Sequence, residues 1–268
     1  MGAAVAACAM SAGARVLWCP AGRSAATIER AQQTGLELVA ELFELLERAE
    51  VVLSLCPPAA AEDVAREVAE HRFTGVYVEG NAISPSRVKR IADLVGRSAR
   101  AVVDGSVIGS PPVGGKHAKL FLSGPSGATT LVAGLFSGTA VSTPVLGEEI
   151  GQASALKVSY TAYQKASRVL AALSYGLAQH HGVDRALLDV ASKRPGSYLV
   201  ETDYITKTAA RAWRWAPEME EAAETLRAAG LPDEVLRAVA DTLRRWNAAR
   251  DDAALSVDDA LGLLRGSA

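Results

Sequence analysis

An excess of charge of either sign is the first thing this chain lacks. Its 28 Lys and Arg nearly balance its 30 Asp and Glu, for a net charge of -2 at pH 7. Proteins that hold nucleic acid or anionic membrane concentrate positive charge, so the composition argues against both partners. Two basic spots, Arg87–Arg90 and Arg244–Arg245, read as solvated helix faces. Long apolar runs are absent too: none reaches the roughly 18 residues that a membrane span needs. The first helix has neither the basic start nor the strongly apolar stretch of a signal peptide, so the expected location is the cytoplasm. Cysteine is scarce. Cys8, Cys19 and Cys56 form no CxxC and leave an odd count, which argues against a disulfide framework. His71, His117, His180 and His181 have no HxxxH spacing and no cysteine close by, so no metal site is expected. Aromatic residues make up only 5 %. Tyr204, Trp213 and Trp215 therefore stand out, as core or dimer contacts of the C-terminal part.

What is present is an alternation. Apolar runs "RVLWC" (15–19), "VVLSLC" (51–56), "GVYVEG" (75–80), "AVVDGS" (101–106), "KLFLSG" (119–124) and "TAVSTPV" (139–145) are separated by helical stretches at 24–34, 59–71, 85–95 and 126–136. Strands alternating with helices predict crossover units and a mostly parallel sheet covered on both faces. After Gly151 the strand pattern stops. "SALKVSYTAYQKASRVLAALSYGLAQHHG" predicts one helix of about 28 residues, roughly 40 Å long. Further helices are expected near 184–191, 197–211, 217–229, 232–249 and 256–264, with Pro195, Pro217 and Pro232 close to helix starts. The expected organisation is an α/β Rossmann-type domain over 1–147 and an all-helical substrate and dimerisation domain over 148–268.

The opening also lacks something. "MGAAVAACAMSAG" is an alanine-rich helix that feeds straight into the strand "RVLWC". In dinucleotide-binding sheets a central strand and GxGxxG precede such a helix, with the pyrophosphate at its N-terminus. The first strand and two of the glycines are therefore expected to be missing. The sheet would be left interrupted beside the "RVLWC" strand, with unpaired backbone groups that cost on the order of 1–3 kcal/mol each if buried.

Five segments in order carry a resemblance. They are "MG" (1–2), "LCPP" (55–58), "EGNAISP" (79–85), "VVDGSVIGSP" (102–111) and "GQASALKVSYT" (151–161). They resemble, respectively, the end of GxGxMG, the turn bordering the nicotinamide ribose, D-x-S-T-x-x-P, the substrate segment DAPVSGG and the catalytic GxGxxxKxxxN. These are motifs of the β-hydroxyacid dehydrogenase family, relatives of 6-phosphogluconate dehydrogenase. The chain departs from them at Ser106 and Ile108, where that family has Pro and Ser, and at Ala153 and Thr161, where it has Gly and Asn. "APEM" (216–219) stands where a Lys-Asp pair is usual. These features resemble a branch whose C-terminal domain is phosphogluconate dehydrogenase-like, and they leave the substrate open.

The resemblance implies Lys157 as the catalytic acid/base, taking or returning a hydroxyl proton as hydride moves. Lys157, Thr161 and Gln164 share one helix face at i, i+4 and i+7. The same face suits an amphipathic helix with a solvated lysine. Ser106, Val107 and Ile108, with Thr161 and Gln164, are the expected substrate contacts, although the glycines and prolines around Ser106 also suit an ordinary loop. Gly2, Arg23, Ser24, Cys56, Pro57 and Asn81 are the expected cofactor contacts. Arg23 and Ser24 replace the acid that binds a ribose 2′-hydroxyl and suit a 2′-phosphate, which favours NADP over NAD. Ser24 also suits a helix N-cap. Asn81 suits either a nicotinamide or substrate contact or a turn before Pro85.

The expected function is an NADP-dependent oxidoreductase acting on a small hydroxy acid or its oxo form, as a homodimer paired through the helical domain. Two rivals are an imine reductase-like enzyme and a non-catalytic nucleotide-binding protein.

Overall fold

The computed structural model describes residues 1–180, 182–193, 196, 201–228 and 233–265. Two compact units meet inside one helix: Met1–Lys157 and Val158–Ala268. The division falls there rather than at 147/148 because the first turns of that helix are tied to the sheet of the first unit.

The first unit opens with α1 (Gly2–Ser11), then β1 (Leu17–Trp18), α2 (Ala25–Thr34), β2 (Glu37–Leu38), α3 (Leu42–Arg48), β3 (Val51–Ser54), α4 (Ala61–Glu70) and β4 (Val76–Glu79). It continues with α5 (Pro85–Val95), β5 (Ala101–Gly109), β6 (Ala118–Ser123), α6 (Ser126–Gly134), β7 (Val141–Ser142), β8 (Val145–Gly147) and the start of α7 (Gln152–His180). β1 and β2 form a parallel pair of their own. The other strands form a sheet of order β3-β4-β5-β6-β7, with β8 also on β6. The expected interruption is there: β1–β2 and the larger sheet share no ladder hydrogen bonds.

β3, β4 and β5 run parallel, β5–β6 is antiparallel, and β7 and β8 pair with β6 in parallel. "TAVSTPV" is therefore two short strands rather than one. Pro144 has no N–H to give, and its carbonyl accepts from Leu122 N at 2.9 Å. Sequence patterning gives no element between 35 and 50, where β2 and α3 lie, because both are shorter than the stretch over which a periodic pattern can be read. The sheet is apolar on both faces, as its continuous runs predict. Val76, Val78, Val103 and Leu120 lie on the face packed by α1 and α6, through Val5, Cys8 and Val132. Tyr77 and Val102 lie on the other, with Ala65, Val68, Val88 and Ile91 of α4 and α5.

The second unit holds the rest of α7, then α8 (Asp184–Ser192), α9 (Tyr204–Ala228), α10 (Glu234–Arg244) and α11 (Val257–Arg265). Its core gathers Val158, Ala209, Met219, Leu243, Trp246 and Leu261. Trp246 is fully buried and donates from Nε1 to Ala260 O at 2.7 Å. The expected break at Pro217 does not occur: Pro217 lies inside α9. A proline there costs about 3 kcal/mol. The buried stripe of Ala209, Ala212, Ala216, Met219 and Ala223 runs straight through it and offsets that cost by packing. The readings placed on His181, Pro195, 197–200 and Pro232 lie outside the described residues.

Trp215 is core, as expected, and the Lys165 ammonium lies 5.2 Å from its ring centroid. Trp213 instead donates to Asp251 Oδ1 at 3.2 Å, with the Arg250 guanidinium 3.9 Å from its ring. Tyr204 is partly buried against the core, with the Arg168 guanidinium 3.6 Å from its ring. Among the described residues, no helix is long and apolar enough to cross a membrane, and no cluster of His, Cys, Asp or Glu could hold a metal ion.

Candidate active site

The cofactor-side residues converge at the ends of β3 and β4. Gly2 opens α1, and a Cβ there would lie 3.9 Å from both the Cβ and the carbonyl oxygen of Leu55, which is ordinary contact. No side chain caps this helix end. The loop after β3 is fixed from two sides. Cys56 N donates to Asn81 Oδ1 at 2.6 Å, and Arg87 Nη2 donates to Pro58 O at 2.8 Å. Gly80 is needed here, because a Cβ would lie 2.9 Å from Ser54 O, the acceptor of its own N–H. Burial pushes the Cys56 thiol up, while the Ser54 hydroxyl and the Arg23 guanidinium pull the other way. Arg23 is thus within electrostatic reach of Cys56. Arg23 and Ser24 are exposed at the N-terminus of α2, and Pro57 is exposed too. Ser24 is the N-cap by position, yet its hydroxyl pairs with Thr27 Oγ1 at 3.1 Å rather than with the backbone.

Asn81 is already engaged. Its Nδ2 donates to Glu79 Oε1 (2.5 Å) and to Ser54 Oγ (3.0 Å), and its Oδ1 takes the Cys56 amide. Both amide protons are used inside the protein, and Asn81 thereby ties the loop after β3 to Glu79 and Ser54. Glu79 itself is fully buried, and it accepts from Asn81 N at 3.0 Å and Tyr77 OH at 3.2 Å. Loss of hydration raises its pKa to about 7, against the pull of these donors, and the nearby Asp104 carboxylate raises it further.

Around Lys157 the structure brings β5 and α7 together. Lys157 is partly buried and donates from Nζ to Val107 O at 2.8 Å. Burial lowers its pKa. Ser106 and Ile108 flank Val107 on β5. The Ser106 hydroxyl is buried and has no hydrogen-bond partner. Such orphaned groups are uncommon in folded proteins. Thr161 is buried one turn beyond Lys157, and Gln164 donates to Tyr160 OH at 3.3 Å. Both belong to the second unit.

Sequence reasoning missed Asp104. Its carboxylate is fully buried and accepts from Gly151 N (2.9 Å), Ser154 N (3.0 Å), Ser154 Oγ (2.6 Å) and Ser123 Oγ (3.2 Å). Ser123 Oγ in turn takes Ala153 N at 3.2 Å. Burial pushes the Asp104 pKa up, and these donors hold it down. The N-terminus of α7 is thus capped from the sheet, not from its own flanking sequence. The available signal was a lone acid inside the apolar run "AVVDGS", where an unpaired carboxylate would be costly.

Comparison with known proteins agrees with this architecture. Residues 178–246 match the family model "Domain of unknown function (DUF1932)". An uncharacterized 28.5 kDa protein of Methanothermus fervidus is 25 % identical over 183 residues, covering 68 % of this chain and 69 % of that protein. The 3-hydroxyisobutyrate dehydrogenase of Mycobacterium tuberculosis, solved with L-serine, is 17 % identical, with a TM-score of 0.74 over 99 % of this chain and 96 % of its own. An imine reductase of Streptomyces aurantiacus is 23 % identical, with a TM-score of 0.55 over 98 % and 95 %. The fold is therefore that of the hydroxyacid dehydrogenases, a Rossmann-type sheet domain followed by a helical one. Within it, the helical unit carries the DUF1932 segment.

Proposed function

We propose that this chain is an oxidoreductase that uses NADP and interconverts a small hydroxy acid and its oxo form, with Lys157 as general acid/base. One observation carries the reading: a partly buried amine held 2.8 Å from Val107 O, beside Ser106, a buried hydroxyl without a partner. Burial lowers the lysine pKa, which brings a neutral amine closer to the working range. In oxidation the neutral amine accepts the substrate hydroxyl proton. In reduction the ammonium returns a proton to the oxygen of the former carbonyl. Ser106 offers that substrate a hydrogen bond, and Ile108 and the Val107 backbone border it; Thr161 and Gln164 are assigned to orient it. The resemblance to the hydroxyacid dehydrogenases supports the same roles.

The residues present suit the dinucleotide. The start of α1 has no side-chain cap, and its glycine meets the protein only at ordinary contact distance. Backbone amides at such an end favour a pyrophosphate. Exposed Arg23 and Ser24 suit a 2′-phosphate, and Cys56 and Pro57 would border the nicotinamide ribose. When bound, the dinucleotide supplies or receives the hydride. A homodimer through the helical unit completes the proposal; Tyr160 and Tyr163 are 43 % and 71 % exposed there.

The test is NADPH oxidation against a panel of small oxo acids, with Lys157→Ala beside the unaltered chain. Turnover in the unaltered chain that collapses in the variant, at unchanged NADPH affinity, supports the proposal. Undiminished turnover in Lys157→Ala overturns it. Imine reduction is the second reading, favoured by the fold shared with the Streptomyces enzyme. It needs no base for a hydroxyl proton, so turnover of a cyclic imine that survives Lys157→Ala would select it.

A further inference from the structure

Four strands of the first unit place a polar residue at the same level. The ladder registers pair Ser54 with Glu79, Glu79 with Asp104, and Asp104 with Ser123. All four are buried, and the sheet around them is apolar. Each end of this row grips a different piece of chain. Ser54 and Glu79 hold Asn81, which holds the Cys56 amide. Asp104 and Ser123 hold the first turn of α7.

We infer that Asp104 is a positioning residue for Lys157, fixing the start of α7 on β5 so that the amine stays on the Val107 carbonyl. Two attachment points on each element set the geometry. Ser154 lies one turn before Lys157 on the same face of the helix, and its amide and hydroxyl both end on the Asp104 carboxylate. Val107 lies three residues beyond Asp104 on β5. The clamp and the amine's acceptor thus sit on one strand, and the clamp and the amine on one helix turn. Fixing two points on each element leaves neither rotation nor sliding of α7 free at Lys157. Gly151 completes the entry: it has φ +111°, which a side chain rarely adopts, and its N–H points into the Asp104 carboxylate. With the carboxylate absent, the first turn of α7 loses its partners, Lys157 gains water, and its Val107 contact loosens. The role in turnover rests on Lys157 being the acid/base; the effect on the amine itself does not.

The experiment follows the amine directly, in the full chain labelled with 15N,13C-lysine, by titrating the side-chain signal that vanishes in Lys157→Gln. Asp104→Asn keeps the shape of the side chain and removes its charge. Ser154→Ala removes the single 2.6 Å hydroxyl contact and is the milder change should Asp104→Asn fail to fold. Ser154→Thr restores a hydroxyl and serves as the rescue. In the unaltered chain burial holds the Lys157 amine below the ordinary lysine value. The expected result is an upward shift toward that value in Ser154→Ala, a larger one in Asp104→Asn, and a return in Ser154→Thr. Turnover of the best oxo acid should fall by up to about a hundredfold in Asp104→Asn, as for an ångström-scale misplacement. A folded Ser154→Ala whose melting temperature falls while Lys157 titrates as before would overturn the inference and leave Asp104 a purely structural cap. If the lysine shifts as expected but Lys157→Ala keeps its turnover, the clamp stands and the acid/base reading falls.

Discussion

Two helix N-termini in the same unit are treated in opposite ways. α7 has its leading amides filled from within: Gly151 and Ser154 by Asp104, and Ala153 by Ser123. α1 begins at Gly2 with no side-chain cap at all. A free helix end carries about half a positive charge and several unspent donors. Where the protein fills them, the helix is anchored and what it carries is held still. At α1 no side chain fills them, and under the proposed function that end receives the pyrophosphate. α7 presents a lysine, and α1 would present its own backbone.

The sharpest way to break the comparison is at what α7 carries. Lys157→Ala should lower turnover by roughly 10²–10⁴-fold, the usual range for a positioned acid or base. Lys157→Arg should be nearly as damaging, because a guanidinium keeps its proton at any working pH. Steady-state kinetics with oxo acid and NADPH checks both. If α7 is an anchor and α1 the binding end, NADPH affinity measured by fluorescence should be unchanged in either variant.

Next in size is the carboxylate beside Asp104. The folded pKa of Glu79 is raised from 4.5 to about 7, so the folded state holds this proton more tightly than the unfolded chain does. The associated stability is fully present below about pH 4.5 and is lost as pH rises through 7. At about 1.4 kcal/mol per unit the loss is about 3 kcal/mol. Glu79→Gln cannot ionise and can offer its amide to the Tyr77 oxygen. It should therefore be more stable than the unaltered chain at pH 8 by up to about 3 kcal/mol, and equal to it near pH 4. Urea unfolding at the two pH values reads the difference. A constant offset at both would show that Glu79 stays ionised.

A smaller effect is expected at the start of α2, where the proposal puts the 2′-phosphate. Arg23→Ala should weaken NADPH by about 2 kcal/mol, the worth of a hydrogen bond to a charged group, and leave NADH nearly unchanged. Isothermal titration with both dinucleotides decides it, and parallel loss of both would remove Arg23 from the 2′-phosphate. The smallest expected change is Thr161→Val, which should raise the Michaelis constant several-fold while sparing turnover, since it removes orientation rather than proton transfer.

How legible the protein was in its sequence depends on where each signal was stored. Helix α5 announced itself through Pro85 at its first position, and the structure adds the Ser84 hydroxyl accepting from Arg87 N at 3.3 Å. The 29 residues of α7 were visible as an unbroken period. β3, β4 and β5 were visible as apolar runs. β2 and α3, of two and seven residues, are too short to repeat a pattern enough times to be read. Pro217 carried a local signal that pointed the wrong way, because tertiary packing outweighs one lost hydrogen bond. The site divided likewise. Lys157 and Ser106 were singled out by resemblance to motifs, and the structure shows what surrounds each. Asn81 had two readings, and the structure shows both its amide protons used within the protein. Asp104 was hidden because its partners lie 47 and 50 residues away in sequence, beyond any local pattern.

The row from Ser54 to Ser123 also bears on how the chain finds its fold. Side chains on a strand alternate between faces, so a slip of one residue in β5 would turn Asp104 toward the layer of Val76, Val78 and Leu120. An ionised carboxylate without donors in that layer is far costlier than the few ladder bonds that a slip forfeits. β4 faces the same penalty through Glu79. Short, uniformly apolar strands of four residues would otherwise tolerate several alignments almost equally well. The buried polar level works as a proofreading mark: of the possible alignments of the chain, it leaves one in which every strand can close.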